Sequence, residues 1–299
     1  MAPRILVLGG SGMLGHTLLR VLRERFEVLA TVRDARAWHG HPLLGDRDRV
    51  LGGVEATVPE TVTSVVARVR PDAIVNCIGI VKQREAAADP VQSIRVNALL
   101  PHLLAEQCAK LGCRLIQIST DCVFSGRRGG YSEEDIPDPV DHYGRSKLLG
   151  EVMSPCCLTL RTSMIGRELS GSAGLLEWYL SNRGGRVTGY RNAVFSGLTT
   201  AALAEVIMHV LSDHGGLEGL FHVASEPISK LDLLTKLRQA LGLDIEIVPA
   251  DEPYCDRSLD GSRFEAATGV SVPPWDRMIA ELAADLTPYD DWRDAHDTT

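Results

Sequence analysis

The chain has 299 residues, 44% of them hydrophobic and 23% charged, which allows a large core and argues against disorder or low complexity. With 31 basic and 39 acidic residues the formal net charge is −8, the wrong sign for binding nucleic acid or an anionic membrane, although local arginines and helix N-termini can still hold phosphates. Seven cysteines, an odd number with no CxxC pair, argue against a disulfide framework or a zinc site and suit a reducing compartment.

The elements follow in chain order. Ile5 to Leu8 is a short apolar run ended by Gly9-Gly10, as in a strand buried on both faces. From Met13 to Phe26, Leu14, Leu18, Val21 and Leu22 recur at helical spacing. Val28 to Val32 reads as a second strand, Thr61 to Val69 as a helix, and Ala73 to Ile78 as another buried strand. Asp89-Pro90 opens a helix that runs to about Lys110, Gly112 stops it, and Arg114 to Ser119 is again a strand. Further on, Leu158 to Arg161 and Gly219 to Ala224 read as strands, while 174–181, 199–211, 230–241 and 275–286 read as helices. The polar residues 290–299 are expected to fray. No apolar run approaches a membrane span and no signal peptide precedes the first strand, so a cytoplasmic protein is expected.

This βαβ rhythm predicts an α/β fold, a Rossmann doubly wound parallel sheet with a smaller C-terminal substrate-binding lobe. The cofactor half is expected over 1–165 and 196–225, and the discontinuous substrate half over 166–195 and 226–299.

Directly after the first strand, Gly9-Gly10-Ser11-Gly12-Met13-Leu14-Gly15 opens a helix. Gly9 allows a tight turn, Gly12 lets a pyrophosphate approach the backbone, and Gly15 lets the helix pack on the sheet. The first amides of the helix, at Ser11 to Leu14, then face the phosphates. At the end of the second strand stands Arg33, whose guanidinium suits a 2′-phosphate and favours NADPH. NADH is the alternative, since Asp34 could reach a ribose.

Tyr143 and Lys147 are four apart on an expected helix and share a face. An ammonium one turn away stabilises a phenolate, lowers the tyrosine pKa and makes proton exchange with a substrate oxygen feasible. Upstream, Ile118-Ser119-Thr120 ends a strand at its carboxyl end, where ligands sit in such sheets.

Three stretches, GGSGMLGH (9–16), ISTDCVFSG (118–126) and YSEEDIPDPVDHYGRSKLLGE (131–151), resemble the extended short-chain dehydrogenase/reductases, and more narrowly the dTDP-4-dehydrorhamnose reductase family. LRTSMIG (160–166) and Arg257-Ser258-Leu259-Asp260 also match that layout. The resemblance implies NADPH-dependent reduction of a dTDP- or UDP-linked 4-keto-6-deoxy sugar in polysaccharide or deoxysugar biosynthesis. It implies that Thr120 holds the substrate carbonyl, that Tyr143 donates the proton, and that Lys147 tunes Tyr143 and binds the nicotinamide ribose. It places Cys77, Ile78 and Gly79 along the cofactor, Arg161 and Ser163 beside the nicotinamide, and Asn97 in a structural role. Lys82, Asp121, Cys122, Arg191 and Arg257 are the substrate-binding candidates, with Lys82 equally readable as part of a solvated charged loop.

The family's aromatic residue after the Ser-Thr-Asp triplet is replaced by Cys122. Related GDP-fucose synthases use a cysteine near this position as an acid/base, but the stretch that holds their partner histidine reads Gly166-Arg167-Glu168 here. Cys122 is therefore open to two readings, acid/base of an epimerase-reductase or a small buried thiol. A regulatory subunit that only binds the cofactor is the remaining alternative, and the intact Thr120, Tyr143 and Lys147 set argues against it. No metal site is expected, and a homodimer is the default assembly.

Overall fold

The computed structural model describes residues 2–81 and 89–297. Lys82, with Gln83 and Arg84, lies outside the described residues. The first four strands and two helices run in order: β1 (Arg4–Leu8), α1 (Met13–Leu22), β2 (Glu27–Thr31), β3 (Val50–Leu51), α2 (Pro59–Val69) and β4 (Ala73–Asn76). Next come α3 (Pro90–Ser93), α4 (Leu100–Leu111), β5 (Arg114–Ile118), α5 (His142–Leu149) and β6 (Cys157–Arg161).

The remainder comprises β7 (Met164–Ile165), α6 (Leu175–Leu180), β8 (Arg186–Tyr190), β9 (Ala193–Phe195), β10 (Leu198–Thr199), α7 (Thr200–Asp213) and β11 (Gly219–His222). It ends with β12 (Ile228–Ser229), α8 (Lys230–Ala240), β13 (Glu246–Ala250), β14 (Cys255–Asp256), α9 (Ser262–Thr268), α10 (Trp275–Ala284) and α11 (Tyr289–Asp297).

Seven strands form one parallel sheet in the order β11-β6-β5-β4-β1-β2-β3, the doubly wound arrangement expected from the sequence. In β1 alternate residues serve opposite faces. Ile5 and Val7 join the core with α1 and α7, whereas Leu6 and Leu8 join the core with α2 and α4. The first of these cores continues through Phe195, Leu233, Leu237, Trp275 and Met278, which belong to the elements beyond the main sheet. Those elements carry small sheets of their own, β12-β9-β14 and the parallel pair β13-β8. Among the described residues no helix is long and apolar enough to cross a membrane.

Two expectations need correction. The helix read as continuous from Pro90 to about Lys110 is interrupted by a π-helical stretch, Ile94–Leu99, between α3 and α4. Pro101 has no N–H to offer the carbonyl of Asn97, so ordinary α-helical pairing fails there. The wider turn brings that carbonyl so close to Gly150 that a Cβ on Gly150 would lie 1.9 Å from it. The second correction is at the C-terminus, where α11 replaces the expected fraying. Tyr289 is buried, the Trp292 ring stands 4.8 Å from that of His41, and Arg293 donates to the Glu168 carbonyl at 2.9 Å. Three anchors on one helical face hold a segment whose composition is otherwise polar.

Candidate active site

The loop from β1 to α1 brings the chain back on itself. Gly9 has φ +81°, a left-handed conformation that costs glycine little. A Cβ on Gly15 would sit 2.1 Å from the Gly9 carbonyl oxygen, so only glycine lets the first turn of α1 lie this close to the loop. The Gly9 amide donates to Thr31 Oγ1 at 3.1 Å and the Gly10 amide to the Thr31 carbonyl at 2.8 Å, which pins the loop to the end of β2. No side chain caps α1, whose N-cap is Gly12, so its first amides are left for an anion to take up. This cradle fits a dinucleotide diphosphate, with Ser11, Gly12, Met13 and Leu14 at its rim. Arg33 stands exposed just past β2. Asp34 instead accepts from the Arg36 amide at 2.8 Å and shapes the following turn.

Behind α1, His16 is buried and links the cradle to the C-terminal helix. Its Nδ1 donates to the Gly12 carbonyl at 2.8 Å, and its Nε2 accepts from the Tyr289 hydroxyl at 3.1 Å. Burial lowers its pKa to about 4, so the ring is neutral.

The catalytic candidates converge at the carboxyl ends of β4 and β5. Asp141 caps α5 by accepting from the Gly144 amide at 2.8 Å. A Cβ on Gly144 would lie 2.2 Å from the Cys122 carbonyl oxygen, so that glycine lets α5 press against the turn after β5. Lys147 is buried and donates from Nζ to the Ile118 carbonyl at 2.5 Å. Burial lowers its pKa to about 8, opposed by Glu151 and Cys77. Cys77, pushed up to about 12 by burial, is lowered in turn by Lys147, which places the Cys77-Ile78-Gly79 segment beside the ammonium.

Thr120 is buried, donates from Oγ1 to Asp121 Oδ1 at 3.1 Å and accepts from the Cys122 amide at 3.2 Å. Tyr143 is partly buried, and burial drives its pKa up; Cys122, Asp121 and Asp141 add to the rise while the Thr120 hydroxyl opposes it. Desolvation dominates, and Tyr143 is a protonated phenol.

A buried network fixes this end of β5. Ser119 Oγ donates to Glu151 Oε1 at 2.7 Å, and the Arg161 guanidinium grips Glu151 with two contacts of 2.8 and 2.7 Å. His222 Nδ1 donates to the Tyr131 carbonyl at 3.0 Å and its Nε2 accepts from Arg161 Nη1 at 3.3 Å. Arg161, expected beside the nicotinamide, is therefore turned inward to Glu151, His222 and the face of Phe124. Ser163 follows β6 and receives the Leu198 amide on its carbonyl at 2.9 Å. Asn97 accepts from the Ile80 amide at 2.9 Å and donates to the Ile80 carbonyl and to Ser146 Oγ, which tightens the Gly79 segment against α5.

The substrate-side candidates divide. Asp121 is buried and its pKa is raised by desolvation, Cys122 is pushed up to about 12 for the same reason, and Arg257 joins them. Arg257 Nε donates to the Phe124 carbonyl at 2.9 Å and Nη1 lies 3.6 Å from Cys122 Sγ. Arg191 does not join: it pairs with Asp251 at 3.1 Å on the exposed turn after β8. The Cys122 thiol is protonated, and Arg167, in the stretch where a partner histidine was sought, pairs with Glu177 and Asp290. Lys230, which the sequence reading did not single out, stands among Asp121, Cys122 and Cys255. Among the described residues no group of three or more metal-ligating side chains is assembled.

The family model for the RmlD substrate binding domain matches residues 3–287. A probable low-salt glycan biosynthesis reductase of Haloferax volcanii is 28% identical over 95% of this chain and 98% of its own. A dTDP-4-dehydrorhamnose reductase of Mycolicibacterium smegmatis is 28% identical over 99% of this chain and 84% of its own. Among solved structures, a hypothetical dTDP-4-dehydrorhamnose reductase from Sulfolobus tokodaii aligns with TM-score 0.76 at 28% identity, covering 90% of this chain and 96% of that one. The Bacillus anthracis dTDP-4-dehydrorhamnose reductase in complex with NADP aligns with TM-score 0.79 at 20% identity, over 94% and 99% of the two chains.

Proposed function

This chain belongs to the RmlD substrate binding domain family, and from that premise we propose that it reduces the keto group of a dTDP- or UDP-linked 4-keto-6-deoxy sugar with NADPH, in polysaccharide or deoxysugar biosynthesis. The observation that carries the reading is the convergence of Thr120, Tyr143 and Lys147 with the Cys77–Gly79 segment at one end of the sheet. Residues 1–165 and 196–225 form the cofactor half in this reading, and 166–195 and 226–299 form the substrate half.

The bound nicotinamide supplies the hydride. The chain's own residues do the rest. The Gly9–Gly15 cradle and the first amides of α1 hold the diphosphate, and Arg33 takes the 2′-phosphate. Lys147, desolvated beside Cys77, would hold the nicotinamide ribose. Thr120, its hydroxyl turned from Asp121, would donate to the substrate carbonyl oxygen and fix it near Tyr143. As negative charge develops on that oxygen, the Tyr143 phenol gives up its proton, and the Lys147 ammonium stabilises the phenolate left behind. Burial keeps the Tyr143 phenol protonated, so the proton that a developing alkoxide needs is present on it.

NADPH oxidation by the purified protein, measured against dTDP- and UDP-linked 4-keto-6-deoxy sugars with product stereochemistry determined, tests the reading. Turnover with at least one member supports it. Tight NADPH binding with no turnover on any member sinks it and favours a regulatory subunit.

A further inference from the structure

Lys230 is the first residue of α8, delivered directly from β12, and Ser229 caps the helix by accepting from the Asp232 amide at 3.0 Å. Its ammonium stands 3.6 Å from the centroid of the Phe195 ring on β9. A ring face attracts a cation without offering a lone pair, so the three N–H donors remain for a ligand.

The small sheet β12-β9-β14 sets this position. Ile228 pairs with Phe195, and Cys255 with Ala193. Residues two apart on a strand share a face, so Cys255 and Arg257 point to the same side. That side meets the turn after β5. Arg257 binds the Phe124 carbonyl and approaches Cys122, and Cys255 Sγ lies 3.9 Å from the Ser125 carbonyl. Lys230 and Arg257 both act on Asp121 and Cys122. Two cations thus share one buried carboxylate; Asp141 also acts on Arg257, but its Oδ1 is engaged as the cap of α5. Tyr143 feels the same Asp121 and Cys122, so the cations stand at the catalytic end. The dinucleotide cradle follows β1, separated from β5 by β4, so the anion these cations await is not the cofactor's diphosphate.

We propose that Lys230 is a substrate-binding residue that, with Arg257, holds a phosphate oxygen of the nucleotide sugar's diphosphate and so sets where the keto carbon lies relative to Tyr143. The proposal rests on the nucleotide-sugar reading above. A diphosphate is the anionic group such a substrate carries, and charge-assisted hydrogen bonds from two cations hold it firmly. Burial lowers the Lys230 pKa to about 8, and an arriving anion restores the charged form.

The test is calorimetric titration of dTDP and of UDP into the NADPH-loaded protein, for wild type, Lys230→Met, Lys230→Gln and Lys230→Arg. NADPH affinity serves as the check on folding, and steady-state kinetics run beside it. Lys230→Met and Lys230→Gln should weaken nucleoside diphosphate binding at least about tenfold and lower kcat/KM for the keto sugar by at least as much; Lys230→Arg should retain most of the affinity. Nucleoside diphosphate affinity unchanged in the Met and Gln variants overturns the proposal, even if KM for the sugar rises. A wild type that binds neither dTDP nor UDP overturns both this proposal and the nucleotide-sugar reading. Lys230-dependent binding without turnover sinks only the reductase reading.

Discussion

Lys147 donates its ammonium to the carbonyl of Ile118 at 2.5 Å, which ties α5 to the last residue of β5, two positions before Thr120. The same ammonium faces Cys77 at the end of β4, so one charge is held between two strand ends and the helix that carries Tyr143. With its pKa lowered to about 8 by burial, Lys147 loses its proton as pH rises through that value. Turnover should therefore fall on the alkaline side of pH about 8, and Lys147→Arg should move that limb upward even as it lowers the rate. The pH profile of kcat for both proteins checks this; an alkaline limb that Lys147→Arg leaves in place would assign it to another group.

On the proposed reading Tyr143→Phe removes the proton donor and little else. NADPH oxidation should drop by about 10²–10⁴-fold, with NADPH affinity unchanged by fluorescence titration.

Arg33→Ala should lower kcat/KM with NADPH by about tenfold or more and leave NADH nearly untouched, because the guanidinium has a partner only when a 2′-phosphate is present. Equal losses with both cofactors would remove Arg33 from the selection.

Glu151→Gln leaves the Arg161 guanidinium buried without its counter-charge. A destabilisation of about 3–5 kcal/mol in urea unfolding is expected, accompanied by lost activity, because the network that fixes Ser119 beside Thr120 loses the charge that holds Arg161.

His16 and His222 each have a pKa lowered from 6.5 to about 4. Between those values the unfolded chain binds more protons than the folded one, so stability rises with pH across the window and is lost as pH falls through it. The two together cost several kcal/mol at the acid end, on the order of 1.4 kcal/mol per pH unit for each ring. Tm measured from pH 7 down to 4 should fall steeply below about 6.5, and His222→Asn should flatten the decline.

The parallel sheet and the glycine loop after β1 were legible because their signals are local. The Gly9–Gly15 spacing, the apolar run of β1 and the Tyr143-to-Lys147 interval each span only a few residues. Lys230 was not legible. It is an ordinary lysine at the start of an ordinary helix, and only the register of β12, β9 and β14 brings it to Asp121. The inward turn of Arg161 was hidden for the same reason, since Glu151 and His222 reach it from α5's end and from β11. The pair β8 and β13 escaped notice because these strands are half exposed, and Gly189 and Pro249 interrupt the β-branched pattern that marks a strand. Desolvation of Tyr143 is likewise a property of everything packed around it, which spacing along a helix does not report.

The clasp between α1 and α11 has a bearing on how the molecule is made. The cradle helix is synthesised well before α11, and His16 meets the Tyr289 hydroxyl, and Arg20 the Asp285 carboxylate, only once residues 273 and 265 positions further along have emerged. Until then the imidazole and the guanidinium must be met by water, and the nascent cofactor half is unfinished however much of its sheet has formed. Elements 273 and 265 residues apart close one structure, so the helix of the cradle gains its last partners only after α11 has been made.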